Sequence, residues 1–237
     1  ILITSDKCYE NKEWIWGYKE TDDLGGIDPY SASKGASEIM IRSQILSFFP
    51  KNGNVKIGIG RAGNVIGGGD WSEKRIIPDA MKAWSINKTL KLRNPLATRP
   101  WQHVLEPLSG YIKFAKLLNT NNDLHGEAFN FGPPQDQNYS VNTLIKEMSK
   151  HWENVSWKVV DKNKVKFHEA GLLKLNCDKA LKHLNWKPTL NFYQTVQFTT
   201  EWYKHYYSLS SSKKIITEQQ IYKYIEISDN IKNINKP

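Results

Sequence analysis

Ile1-Leu2-Ile3-Thr4-Ser5-Asp6-Lys7 is an apolar, β-rich run that stops abruptly in hydroxyls and charges. Consecutive aliphatic residues without polar alternation predict a buried strand of a parallel sheet. Ser5, Asp6 and Lys7 would then stand at the carboxyl end of that strand, where ligands bind in open α/β sheets. The run starts at the first residue with no lead-in, so the chain is expected to begin in mid-domain.

Downstream, residues 8 to 28 are rich in Gly, Asp, Trp and Asn and are expected to form a long loop. A helix is predicted from about Tyr30 to Phe48, stopping before Pro50. Its first turns carry Asp28-Pro29-Tyr30-Ser31-Ala32-Ser33-Lys34, a Tyr-x-x-x-Lys pair that the helical repeat puts on one face. A phenol with a pKa near 10 is a poor base at neutral pH, and a neighbouring ammonium favours the phenolate. Such a pair can take a hydroxyl proton as hydride leaves the same carbon.

Strands are expected over Val55 to Ile59, near Leu90 to Leu92, over Ala128 to Phe131 and over Ser156 to Asp161. Helices are expected over about Pro78 to Asn87, Leu105 to Leu118, Ser140 to Trp152, Cys177 to Leu184 and Tyr193 to Tyr207. Arg61 to Trp71, crowded with Gly and Asn, reads as a functional loop. The alternation implies an α/β fold: a doubly wound parallel sheet, Rossmann-like with its first half missing, and a small α/β substrate-binding lobe. The expected division gives 1–65, with returning segments of 98–135, to the sheet domain. It gives 66–97 and 136–207 to the lobe, and leaves 208–237 as a polar tail, partly disordered, with a faint amphipathic pattern over Ile215 to Ile227.

The chain has 237 residues and a formal charge of +9. No apolar run approaches the roughly 20 residues that a membrane helix needs, and no signal peptide is expected at the start. Cys8 and Cys177 lie far apart without metal-ligand spacing, so neither a disulfide framework, a zinc site nor any other metal is expected, and a cytoplasmic protein is. Positive charge suits an anionic partner: nucleic acid, a membrane surface or a phosphorylated small molecule. The lysines are spread out rather than interleaved with aromatics, which favours the last and argues against nucleic acid and membrane.

Strand, Thr-Ser-Asp-Lys, loop and Pro-Tyr-x-x-x-Lys together resemble the active site of the extended short-chain dehydrogenases that act on nucleotide sugars, the NAD-dependent epimerase/dehydratase family. In that family dehydratases place an acid where Asp6 stands and epimerases carry small residues. Asp-Lys at this point is similar to the CDP-glucose type rather than the dTDP-glucose type, which has Glu after Asp. Further segments agree with it: TSDKCYEN (4–11), Trp16-Gly17-Tyr18, RAGNVIGGGDW (61–71), RPWQHVLEPLSG (99–110), FNFGP (129–133) and His168-Glu169-Ala170.

The resemblance implies a lyase that converts CDP-glucose to CDP-4-dehydro-6-deoxyglucose, with NAD taking and returning a hydride, in deoxysugar and surface-polysaccharide synthesis. Ser5 would hydrogen-bond the 4-hydroxyl, Tyr30 take its proton, and Lys34 assist Tyr30 and touch the cofactor ribose. Asp6 is the candidate acid for the 6-hydroxyl; Lys7 is the candidate base at C5. Asn64 could orient sugar hydroxyls or the nicotinamide carboxamide, or cap a loop. Arg99, with Arg93 and Arg75 behind it, could clamp the diphosphate. His103 could meet substrate or cap the next helix, and His168 would lie near the substrate. Trp71 or Trp101 could line the cavity. A homo-oligomer, dimer or tetramer, is implied, with the helix from Tyr30 to Phe48 pairing between copies.

One part of the pattern is absent. Pyrophosphate binding in this fold uses a Gly-rich turn between a first strand and helix, and Gly67-Gly68-Gly69 has neither the position nor the G-x-G-x-x-G spacing. Tight NAD binding by this chain is therefore not expected, and an exposed strand edge is. Two further readings remain open: another nucleotide-sugar dehydratase or epimerase, and a non-catalytic fragment that binds sugar nucleotides.

Overall fold

A computed structural model describes residues 1–160, 172–208 and 213–234. In chain order the elements are β1 (Leu2–Ser5), α1 (Pro29–Phe48), β2 (Ile59–Ala62), β3 (Val65–Ile66), α2 (Ile76–Trp84), β4 (Leu90–Leu92), β5 (Thr98–Arg99), β6 (Gln102–His103) and α3 (Leu105–Leu118). Then follow β7 (Ala128–Phe131), β8 (Tyr139–Ser140), α4 (Val141–Met148), β9 (Trp157–Val159), α5 (Asp178–Leu184), α6 (Phe192–Tyr207) and α7 (Lys213–Ile234). They form two compact units, Ile1–Asn64 with Glu106–Asp136 and Leu172–Pro188, and Val65–Leu105 with Gln137–Gly171 and Thr189–Pro237.

The first unit is a three-stranded parallel sheet in the order β1-β2-β7. Strand residues alternate between faces. Gly58, just before β2, and Gly60 within it lie directly under the Phe114 and Tyr111 rings of α3, while Arg61 of the other face reaches Glu38 of α1. Helices therefore cover both faces, as in a doubly wound sheet. Asp28 starts α1: its carboxylate accepts from the Tyr30 and Ser31 amides, with Pro29 in the first turn. Helix α5 packs on β7, placing Ala180, Leu184 and Trp186 in one core with Phe114, Phe129 and Phe131.

In the second unit, α2, α4 and α6 enclose a core around Trp84, Met81, Leu144, Ile145 and Val196. Short ladders β3-β6, β4-β9 and β5-β8 complete it. An Asn191/Gln194 capping box opens α6.

Several expectations need correction. Strand β1 exists, but Leu2 and Ile3 are 42% and 63% exposed. It is an edge strand, so its aliphatic residues have a neighbour on one side only. The expected strand at 55–59 instead runs through Arg61, which the sequence reading placed in a loop; a strand tolerates the buried guanidinium because a buried carboxylate meets it. Residues 213–234 are a helix rather than part of a partly disordered polar tail: Tyr224 packs with Leu190 and Phe198, and Gln220 Nε2 donates to Phe198 O at 2.6 Å. Residues 172–188 group with the sheet, not the lobe, because α5 covers β7; residues 98–105 group with the second unit through β5 and β6. Trp14 and Trp16 are exposed, while Trp71 and Trp101 pack in or against the second unit's core.

Candidate active site

The candidate site grows from one lateral row of the parallel sheet. Thr4, Arg61 and Asn130 are register partners across β1, β2 and β7 and so point to the same face. Polar side chains in mid-sheet need partners, and these have them. Arg61 Nε and Nη2 donate to the two carboxylate oxygens of Glu38, each at 2.9 Å, and both residues are almost fully buried. Thr4 donates its hydroxyl to the same Glu38 carboxylate. Arg61 Nη1 donates to Tyr9 Oη at 2.8 Å, and Tyr9 Oη to Asn130 Oδ1 at 2.8 Å. Burial holds the Tyr9 phenol well above its ordinary range, although Arg61 pulls the other way, so it remains a donor. Glu20 accepts the Asn130 amide and is also held above the usual carboxylate range, chiefly by burial.

One residue beyond this row, the chain leaves β1 and turns. Ser5 Oγ accepts from the Lys7 amide at 3.2 Å, which caps the short turn Asp6–Cys8, and donates to Asp6 Oδ1 at 3.0 Å. Asp6 is 3% exposed. Its carboxyl fills the space beside Gly63, where a Cβ would come within 2.0 Å of Oδ2. Only glycine at 63 leaves room for the acid, and Asn64 follows it with a left-handed φ of 43°. Lys7 is half-buried.

Helix α1 packs against the Asp6–Cys8 turn. Its amino-terminal turns present Tyr30, 57% exposed, and Lys34, whose Nζ lies 5.5 Å from the Tyr30 ring centroid. Glu38 is one turn beyond Lys34, so Tyr30, Lys34 and Glu38 follow one another along the helix at four-residue spacing. Ser5, Asp6, Lys7, Tyr30, Lys34 and Asn64 all belong to the first unit: Ser5 ends β1, Asp6 and Lys7 follow it, Asn64 lies just past β2, and Tyr30 and Lys34 stand in the first turns of α1. The sequence reading missed Thr4, Tyr9, Glu38, Arg61 and Asn130. Glu38 had a signal, the continuation of Tyr-x-x-x-Lys by a further x-x-x-Glu.

The other candidates belong to the second unit. Arg75 is exposed and pairs with Asp70 at 3.5 Å. Arg93 is exposed and donates to Lys74 O at 3.2 Å. Arg99 is half-buried and donates to its neighbour's carbonyl, Thr98 O, at 2.7 Å. His168 lies outside the described residues. His103 is 2% exposed, and its Nδ1 accepts from the Leu105 amide at the start of α3 at 3.3 Å.

Burial pushes the His103 imidazole down to about 4. The unfolded chain takes up a proton near 6.5 that the folded unit refuses until about 4, so this residue lowers stability as pH falls through that window and costs nothing above it. The contribution amounts to about 3 kcal/mol at the acid end. Urea unfolding at pH 7 and pH 4 is expected to show this loss, and His103→Gln to remove it.

Over 209 residues, 86% of its length, the chain is 44% identical to CDP-glucose 4,6-dehydratase of Salmonella typhimurium. The chain is a sequence relative of that enzyme. It spans 58% of the length of the Salmonella CDP-glucose 4,6-dehydratase. No protein-family model matches the chain. Among solved structures it is similar to the UDP-glucuronic acid 4-epimerase of Bacillus cereus in complex with UDP-glucuronic acid and NAD, with a TM-score of 0.70, 17% identity, 86% of this chain and 60% of that one covered. It is also similar to the dTDP-glucose 4,6-dehydratase DesIV of Streptomyces venezuelae, with a TM-score of 0.66 and 20% identity over 86% of this chain and 59% of that one. At these identities the structural likeness establishes the α/β fold. The likeness to CDP-glucose 4,6-dehydratase rests on sequence.

Proposed function

We infer that this chain carries the substrate-converting part of a nucleotide-sugar 4,6-dehydratase acting on CDP-glucose, a lyase that yields CDP-4-dehydro-6-deoxyglucose. The observation that carries the reading is the junction of β1 with α1: a phenol and an ammonium on the helix, and a hydroxyl and a buried carboxyl at the strand end, tied together through Thr4 and Glu38. Identity of 44% to CDP-glucose 4,6-dehydratase supports the substrate.

NAD, when bound, supplies the acceptor for the C4 hydride and the donor that returns it to C6. Its nicotinamide end fits the residues present, because Tyr30 is exposed and Lys34 half-buried in the first turns of α1, with Asn64 half-buried beside Gly63. Its pyrophosphate end has no Gly-rich turn among the described residues: the Trp202 indole covers Gly68 so closely that a Cβ would lie 2.0 Å from it. Tyr30 and Lys34 would hold the ribose, and Asn64 the carboxamide.

Ser5 orients the sugar 4-hydroxyl and Tyr30 removes its proton as C4 becomes a ketone. The ketone acidifies C5–H, which Lys7 removes. Asp6 gives its proton to the departing 6-hydroxyl, which leaves as water. Asp6 is placed for this task by its burial beside Gly63 and by the Ser5 hydroxyl, which donates to its Oδ1. Arg99 is assigned to the diphosphate, with Arg93 and Arg75 as secondary cations. The cytoplasm and surface-polysaccharide synthesis are the setting we assign, consistent with the two free cysteines, Cys8 and Cys177. Calorimetric titration tests the reading: CDP should bind, and CDP-glucose with NAD should give a 4-ketosugar. Binding of CDP without any turnover at saturating NAD would leave a binding fragment instead.

Helix α1 is proposed to pair with its copy in a homodimer. Ala32, Ala36, Ile39, Met40 and Leu46 leave an apolar stripe on it, with Ile39 and Met40 each 60% exposed and Leu46 77%. Met40→Lys is expected to convert the dimer to monomer in light-scattering measurements while leaving CDP affinity unchanged.

A further inference from the structure

We propose that Glu38 is a positioning residue: its carboxylate, gripped by Arg61 and Thr4, sets the height and rotation of α1 and so aims Tyr30 and Lys34 at Ser5 and Asp6. The role rests on the reading of those four side chains as the reacting groups.

The geometry is specific. Thr4 and Arg61 are neighbours in register on adjacent strands, and one carboxylate on α1 takes hydrogen bonds from both. Two strands and a helix thereby share a single locking point. A bidentate guanidinium fork accepts a carboxylate in one plane and at one distance, so sliding or turning the helix breaks both bonds at once. The lock stands directly below the chemistry on each element: Ser5 and Asp6 follow Thr4, and Lys34 and Tyr30 lie one and two turns before Glu38. The eight-residue step from Tyr30 to Glu38 spans about 12 Å along the helix.

Ordinary packing within the chain does not supply this register. Among the twenty residues of α1 only Ser31, Gly35, Glu38 and Ile45 are buried. A helix held by two small residues and one aliphatic side chain has little shape to prevent slippage, so a directional bond has to do it. A buried ion pair is generally no more stabilising than apolar side chains of the same volume, and fixing one arrangement among several is the best-attested use of such pairs. Arg61 is itself fixed by Tyr9, and Tyr9 by Asn130, so the lock is referred to the whole sheet.

The test replaces the pair by apolar residues, Glu38→Leu with Arg61→Met, in the whole chain, and reads fold and site separately. Thermal unfolding should be as cooperative as in the parent protein. Amide resonances of Ser5, Asp6, Tyr30 and Lys34, none of them at the substituted positions, should broaden or split as α1 samples several registers. With CDP-glucose and NAD, kcat should fall on the order of 100-fold, the cost of misplacing reacting groups by about 1 Å, with KM for CDP-glucose unchanged. Sharp resonances at Tyr30 and Lys34 with unchanged shifts would overturn the proposal. Should the double variant not fold, Thr4→Val, which removes only the hydroxyl bond to Glu38, must still move the Tyr30 and Lys34 resonances; if it does not, the lock is not real. Lack of turnover in the parent protein would count against the enzymatic reading alone, since the resonances judge the lock without it.

Discussion

Glu38→Ala is expected to destabilise the first unit by about 3–5 kcal/mol, because it leaves the Arg61 guanidinium buried with no opposing charge. Arg61 is 4% exposed and Glu38 2%, so water cannot replace the lost carboxylate without opening the sheet. The Thr4 hydroxyl loses its acceptor as well. Against a typical total stability of about 5–15 kcal/mol, such a loss brings the unit close to unfolding. Urea titration followed by the fluorescence of Trp186, which lies in this unit's core, gives the measurement. A loss below about 1 kcal/mol, the value of an exposed pair, would mean that the pair is hydrated and that the sheet face is open.

Tyr30→Phe is expected to reduce turnover of CDP-glucose by roughly 10²–10⁴-fold, the usual worth of a positioned general base. Tyr30 is 57% exposed and its phenol is not needed for packing, so the variant should melt like the parent protein and bind CDP unchanged. Asp6→Asn separates the second half of the reaction from the first. It retains the shape beside Gly63 but has no proton for the 6-hydroxyl, so exchange of C5–H with solvent should persist while water loss stops. If Asp6→Asn abolished C5 exchange as well, Asp6 would be acting on the oxidation at C4, and its role as the acid would be wrong.

Elements with strong local signals were legible in the sequence. Helix α1 announced itself through Asp28-Pro29 and its stop before Pro50, and β7 through Ala128 to Phe131 and the Gly-Pro-Pro that follows. Strand β2 was misplaced because its decisive residue is an arginine, which no apolar pattern would put in a strand; only the tertiary partner Glu38 makes the position tenable. Helix α7 was missed because its two anchoring side chains, Gln220 and Tyr224, are one turn apart within an otherwise polar run, so its buried stripe is too narrow to show as periodicity. Ser5, Asp6, Tyr30 and Lys34, the residues proposed to react, were named from the sequence because reactivity restricts residue type. The residues that hold them, Thr4, Arg61, Asn130 and Tyr9, were not, since their pairing depends on strand register, which a single sequence does not display.

Product analysis in heavy water tests the central claim most directly: the β1 end and the α1 face form one site that oxidises C4 and expels the 6-hydroxyl. CDP-glucose incubated with the chain and saturating NAD is predicted to give a 4-keto-6-deoxy sugar bearing solvent deuterium at C5 and the former C4 hydrogen at C6. Recovery of the sugar with its 6-hydroxyl intact, whether unchanged or inverted at C4, would contradict it.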